Sequence, residues 1–220
     1  VRSKLKGPPD IFHLEPGQIP SASDYLSVPL EVSLDPISDV VYVEVGGEGV
    51  VLKPQEWSDW VQVSFDALPY GVMPLSGTVR FYLKSMREPF VLYASPININ
   101  PLDPAQPITS PDDFTELLSE RLGPFYTQGM PEETNVLKDG VFDDDDYELQ
   151  VALVQKDTEL MLDMALERFE PGNMSFVYVS DVDLQCHMLW RHGDPKYAEA
   201  SPHPAHEESS AKDHADDIEG

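Results

Sequence analysis

Alternation of apolar and polar residues dominates the first hundred positions of the chain. The period of two is clearest from Val61 to Phe65 and from Val79 to Leu83, and it is typical of strands with one buried and one solvent-exposed face. The joining turns are too short for parallel crossovers, so antiparallel pairing is expected. Strands are predicted at residues 26–34, 40–45, 50–53, 60–65, 78–84 and 90–94.

The second half of the chain has the longer period of helices. Apolar side chains recur there at spacings of three and four, which predicts a helix over about residues 145–169. A shorter helix is expected to begin in the Ser-Pro-Asp-Asp run at Ser110, with Ser as the cap, and to end near Leu122. The positions that form the long stripe are Tyr147, Val151, Val154, Met161 and Ala165.

A β-branched run follows the Pro-Gly-Asn turn at Pro171 and predicts a strand over residues 175–180. Helix, tight loop and strand in this order indicate an α/β crossover. The proline-rich bridge from Pro96 to Pro107 predicts a domain boundary. The expected fold class is therefore mixed α+β, with a mostly antiparallel β module in residues 1–104 and part of an α/β core in residues 105–220.

Charge narrows the range of partners. The formal net charge is -26, of which residues 1–110 contribute -6 and the remainder -20. A surface of this sign disfavours nucleic acid and anionic lipid, so no nucleic-acid partner is expected. Solubility and salt adaptation are both open interpretations of the excess acid. The tail after Tyr197 has many acids and no aromatic residue, so it should be mobile in isolation.

Several features bear on compartment and completeness. No apolar run approaches the roughly 20 residues that span a membrane, and the single Cys186 excludes an intramolecular disulfide. The localisation therefore stays open. Because the chain begins at Val1 without Met and ends at Gly220 in an acidic stretch, we expect a domain excised from a longer protein.

Asp183 and His187 are the candidate metal ligands. They follow the predicted strand, and at positions i and i+4 of a helical turn their side chains point to the same side. Carboxylate and imidazole are ordinary zinc ligands. The spacing alone is a weak signal that favours the structural alternative, a helix N-cap aspartate with a partly buried histidine one turn later. The position after the predicted strand strengthens the metal interpretation.

Other clusters carry weaker signals. The histidines of the last 34 residues match no ligand spacing beyond the first motif. The acidic run 143–146 lacks the Gly and the distal Glu of an EF-hand loop, so its expected role is to charge the N-terminus of the long helix. Trp57 and Trp60 are expected to pack at a strand start rather than to form a ligand platform.

Four stretches of the chain resemble one family. It is the type I phosphodiesterase/nucleotide pyrophosphatase-like group of the alkaline phosphatase superfamily, which includes predicted phosphohydrolases and phosphomutases. The Asp-x-x-x-His-Met-x-Trp-Arg run that starts at Asp183 is the most specific part, and His203-Pro204 looks like the His-Pro that follows it in relatives. The stretches are residues 56–60, 90–97, 123–134 and 176–191, together with the long helix.

The resemblance implies a two-metal site, commonly of zinc, beside a Thr or Ser nucleophile. Asp183 and His187 match positions that bind one of these metals, whereas the nucleophile and the remaining ligands belong before and after this chain. The chain would thus be a fragment of a metal-dependent phosphohydrolase that acts on a small phosphate ester. It would comprise a β insertion and part of an αβα sandwich core that the remainder of the parent protein completes. The isolated chain is expected to be inactive.

A non-catalytic binding module is the alternative. In that case the β region recognises a carbohydrate, a lipid head group or a protein partner, and the Asp183–His187 motif is structural. An upstream Asp and Thr or Ser, with a downstream Asp-His-Gly in the parent gene, would favour the enzyme.

Overall fold

The structure is a computed structural model of the chain. It describes residues 1–15, 17–67, 74–129 and 131–193, without the side chains of residues 191 and 193. The acidic tail that was expected to be mobile lies outside the described residues. The chain divides into two compact units, Val1–Thr127 and Gln128–Gly220, called unit 1 and unit 2 below. The proline-rich bridge therefore lies within unit 1, whereas the sequence places a boundary at residue 104.

Unit 1 contains all the strands that the described residues form. Their bounds are β1 Arg2–Pro9, β2 Tyr25–Asp35, β3 Val40–Val45, β4 Glu48–Leu52, β5 Glu56–Trp57, β6 Val61–Asp66, β7 Pro74–Val79, β8 Phe81–Ser85, β9 Val91–Ala94 and β10 Asn98–Ile99. They pair as three sheets of order β1-β2-β3-β4, β10-β7-β6 and β5-β8-β9. Every pairing is antiparallel, which confirms the predicted antiparallel pairing.

The core of unit 1 is built from alternate residues of these strands. Burial in β3 and β6 follows the period of two, so that Val41, Val43, Val63 and Phe65 point inward while their neighbours are exposed. One continuous cluster of buried apolar residues joins the first sheet to β6, β7 and β8. Burial of this kind stabilises the sheets by roughly 25 cal/mol per Å² of apolar surface.

The predicted strand over residues 78–84 is two strands in the structure. The chain changes sheets at Arg80: Thr78 pairs with β6 and β10, whereas Phe81 pairs with β9. The amide of Arg80 donates to Ser95 Oγ at 3.0 Å instead of joining a ladder. Side chains alternate in the same way before and after Arg80, so the period of two in the sequence does not reveal the change of sheet.

Helices follow the strands. They are α1 Phe114–Leu122 in unit 1, and α2 Thr134–Lys138, α3 Asp144–Glu167 and α4 Asp181–Gly193 in unit 2. The short helix begins later than predicted, with Asp113 rather than Ser110 at its N-cap and no side-chain cap bond. The long helix α3 is confirmed, with Tyr147, Val151 and Val154 buried.

The strand predicted over residues 175–180 is wrong. The chain runs from Asn173 to Ser180 without a turn or bend, but it belongs to no sheet, and among the described residues no strand follows Ile99. A strand is defined by hydrogen bonds to a neighbour, which the local sequence cannot supply. The structure is therefore mixed α+β as expected, and among the described residues the strands lie in unit 1 while unit 2 is helical.

Candidate functional site

Asp183 and His187 lie on the first two turns of α4. Their spacing of four places them on one side of the helix, and the distance from His187 Nε2 to Asp183 Oδ1 is 3.5 Å. Both side chains are largely solvent-exposed, 72% for the histidine and 62% for the aspartate. The convergence expected from the sequence is therefore present, although a helix rather than a strand end positions the pair.

The pair fits two ligand positions of a zinc ion. Zinc bonds to imidazole nitrogen and carboxylate oxygen are about 2.0–2.2 Å long, so two ligand atoms of a tetrahedral site are about 3.4 Å apart. The observed 3.5 Å is close to that edge. Within the described ranges no group of three or more His, Cys, Asp or Glu side chains could hold a metal ion. Further ligands would have to come from outside the described residues.

Buried acids surround the start of α4. Asp181 and Glu132 are both buried, and Ser180 Oγ donates a hydrogen bond to Glu132 Oε1 at 3.4 Å. Burial raises the pKa of the Glu132 carboxyl, and the negative charge of Asp181 raises it further. These contacts tie the residue before α4 to the loop that precedes α2.

Tyr147 and Gln150 extend this polar cluster along α3. Both side chains are fully buried, and Gln150 Oε1 accepts a hydrogen bond from the Glu133 amide at 2.9 Å. Burial raises the pKa of Tyr147, and the nearby Glu132 adds to the rise. Glu132 Oε2, the Tyr147 hydroxyl and Gln150 Nε2 have no hydrogen-bond partner among the described residues. Buried polar atoms without hydrogen bonds are unfavourable in free energy, so this cluster favours bound water.

A second buried pair joins the first turn of α3 to the last turn of α4. His192 Nε2 lies 2.6 Å from Asp144 Oδ2, and neither side chain has more than 1% exposed area. The sequence grouped His192 with the histidines of the tail and so missed this contact. A signal was available, because Asp181, Leu184, Met188 and His192 recur at helical spacing. The remaining tail histidines lie outside the described residues.

The acidic run 143–146 acts as a helix start. The Asp143 side chain accepts from the Asp146 amide at 3.0 Å, and the Asp146 side chain accepts from the Asp143 amide at 2.9 Å. This is a capping box, which confirms that the run serves the N-terminus of α3. Its local order follows from hydrogen bonds within the run.

Aromatic residues of unit 1 pack against one another. Trp57 lies 5.0 Å from Tyr82 between ring centroids. The ring centroids of Trp60 and Tyr126 are 4.8 Å apart. The Arg80 guanidinium carbon lies 4.6 Å from the centroid of the Trp60 ring. Trp60 also borders a shallow groove of about 440 Å³ with Asp59, Glu48 and Gln62. The expectation that both tryptophans pack is confirmed.

Comparison with known proteins found no match to the chain among family models, curated proteins or solved structures. Within the described residues, no helix has the length and apolar character needed to cross a membrane.

Proposed function

We propose that this chain is part of a metal-dependent phosphohydrolase of the type I phosphodiesterase/nucleotide pyrophosphatase-like kind. The observation that carries the proposal is the Asp183–His187 pair, with an N–O distance of 3.5 Å on an exposed helix face. An exposed pair of suitable separation can be reached by an ion and by further ligands. The resemblance of the surrounding residues to the alkaline phosphatase superfamily adds the reaction class.

Asp183 and His187 would hold one divalent ion, with zinc favoured by the oxygen–nitrogen donor set. When bound, such an ion polarises a phosphoryl oxygen and lowers the pKa of a coordinated hydroxyl group. The chain itself supplies the placement of these donors. The N-terminus of α4 follows Ser180, which is bonded to Glu132, so the helix that carries both ligands has a fixed starting point.

We further propose that unit 2 contributes to an αβα sandwich core that the remainder of the parent protein completes. The helices α3 and α4 would cover one face of that core. Unit 1, with its own apolar core, would be the β insertion that shapes access of the phosphate ester. The substrate class is proposed from the resemblance and from the metal chemistry together.

Zinc titration tests the metal pair. In a chain whose tail histidines His203, His206 and His214 are replaced by Asn, the imidazole signals of His187 should shift with added Zn²⁺ in a two-dimensional NMR spectrum. Asp183→Ala should weaken this response by about ten-fold or more, since metal sites lose 10–100-fold in affinity even when only an outer-shell partner is removed. Asp163→Ala, at an exposed position of α3, should leave it unchanged. Equal responses in the three proteins would overturn the assignment.

Hydrolysis tests the reaction. The polypeptide encoded by the whole parent gene should hydrolyse a chromogenic phosphodiester in the presence of Zn²⁺, whereas residues 1–220 alone should not. His187→Ala in the longer protein should lower kcat/KM by at least about 100-fold. Full activity in that variant would show that His187 holds no catalytic metal, and a lack of hydrolysis by the whole-gene polypeptide would favour the non-catalytic binding module.

A further inference from the structure

The most exposed apolar part of the described chain is residues 174–179, Met-Ser-Phe-Val-Tyr-Val, called the open segment below. Met174 is 93% exposed, Phe176 86% and Tyr178 62%, while Val177 and Val179 are partly covered. Successive side chains of an extended segment point to opposite sides, and Met174, Phe176 and Tyr178 lie on the more exposed side. Contiguous exposed apolar surface of this sort marks an interaction site.

Among the described residues, the backbone of the open segment also lacks a hydrogen-bond partner. No hydrogen bond among the described residues involves the amides or carbonyls of residues 174–179, and the run contains neither a turn nor a bend. A straight row of donors and acceptors is the template that another β-strand recognises. A side-chain cluster, a helix or a small molecule would leave most of these groups unpaired.

Charge indicates which strand fits. No charged residue occurs from Pro171 to Ser180, and exposed acids flank the run, Glu170 before it and Asp183 after it. A partner with an apolar centre and basic ends would complement both features. A second copy would bring the same acids and a further charge of -26. The tail from residue 194 contains three prolines and eight acidic residues, so its composition is unsuited to the role.

We propose that the open segment is the acceptor for an apolar β-strand with Lys or Arg at its ends, supplied by polypeptide outside the described residues. The inference deepens the proposed incomplete core and rests on it for the source of the strand. Pairing would turn residues 174–179 into the strand that the local sequence favours. It would also fix the direction in which the chain enters α4.

Hydrogen exchange with synthetic peptides tests the inference. The probe is a peptide of alternating Val and Thr with two lysines at each end, added to the full chain. A single added strand bonds alternate residues of its neighbour, so every second amide of residues 174–179 should become protected. A peptide with glutamates in place of the lysines should bind about ten-fold more weakly or worse, and added salt should reduce the difference.

Matched variants locate the contact. Phe176→Ser should weaken peptide binding by about ten-fold or more, because it removes a large apolar side chain from the paired surface. Ile19→Ser removes an equally exposed apolar side chain, 89% exposed in unit 1, and should have no effect. Since both side chains are exposed, neither change should alter the unfolding midpoint.

Three outcomes would overturn the proposal: uniform failure of the lysine peptide to protect the open segment, equal protection by the glutamate peptide, or protection of the segment by self-association or by lipid vesicles without any peptide. The zinc titration reads out His187 alone, so either proposal can fail without the other.

Discussion

At the scale of single residues, Glu132 shows how burial changes the affinity of a carboxyl group for its proton. Its carboxyl is buried beside Asp181 and holds Ser180. Removing a carboxylate from water disfavours its charged form, so the pKa of Glu132 is raised above its ordinary value. The folded chain therefore binds this proton more tightly than the unfolded chain does.

This proton should make stability depend on pH. Between about pH 4.5, the ordinary pKa of a glutamate, and the raised pKa, the folded state carries more protons than the unfolded state, so the free energy of unfolding falls as pH rises. Glu132→Gln keeps the shape and the oxygen acceptor for Ser180, and it should flatten this slope in urea unfolding measured over a pH series. Glu170→Gln, an exposed control in unit 2, should leave the slope intact. A variant at position 132 with the original slope would show that another group titrates.

At the scale of elements, α1 and α3 both have an aspartate at the N-cap, yet they differ in how they begin. Asp143 caps α3 through the reciprocal bonds with Asp146. Asp113 occupies the N-cap of α1 but its side chain makes no cap bond. The two N-cap aspartates therefore contribute differently to stability, because only the Asp143 side chain accepts a hydrogen bond from a free helical amide.

Alanine substitution should separate the two caps. Asp143→Ala is expected to lower the free energy of unfolding by about 1 kcal/mol, the usual cost of losing an N-cap. Asp113→Ala should cost a few tenths of a kcal/mol at most, through the helix dipole alone. Chemical denaturation followed by far-ultraviolet circular dichroism checks both. Equal losses would mean that the charge, and not the hydrogen bonds, stabilises the start of α3.

At the scale of the whole molecule, the two units differ in how completely each one buries its apolar residues. Unit 1 encloses a continuous cluster that includes Val43, Phe65 and Phe81. Unit 2 leaves Met174, Phe176 and further apolar side chains in solvent. A unit that buries its own apolar surface has the main requirement for independent folding.

Residues 1–127 should consequently fold alone. A protein truncated after Thr127 is expected to show one cooperative thermal transition and the dispersed NMR spectrum of a β protein. Residues 128–220 should bind a hydrophobic dye more strongly than residues 1–127 do, because apolar surface stays open. A truncated unit 1 without a cooperative transition would show that its core depends on unit 2.

Much of the fold could be predicted because it depends on local pattern. The period of two placed β3 and β6, and the helical stripe with its acidic start placed α3, since these signals lie within one element. The spacing of Asp183 and His187 likewise placed both side chains on one side of a turn. A helix of any origin keeps residues i and i+4 together.

Only the tertiary structure decided the features that depend on a distant partner. The basic, proline-containing β1 exists because it pairs with β2, and the corner at Arg80 exists because β8 pairs with β9. His192 became a buried partner of Asp144 through the approach of two helices. Residues 175–180 have the composition of a strand, but within the part of the chain that the structure describes no neighbouring strand pairs with them. Local sequence sets conformational preference, whereas pairing and burial are settled by whichever residues lie opposite.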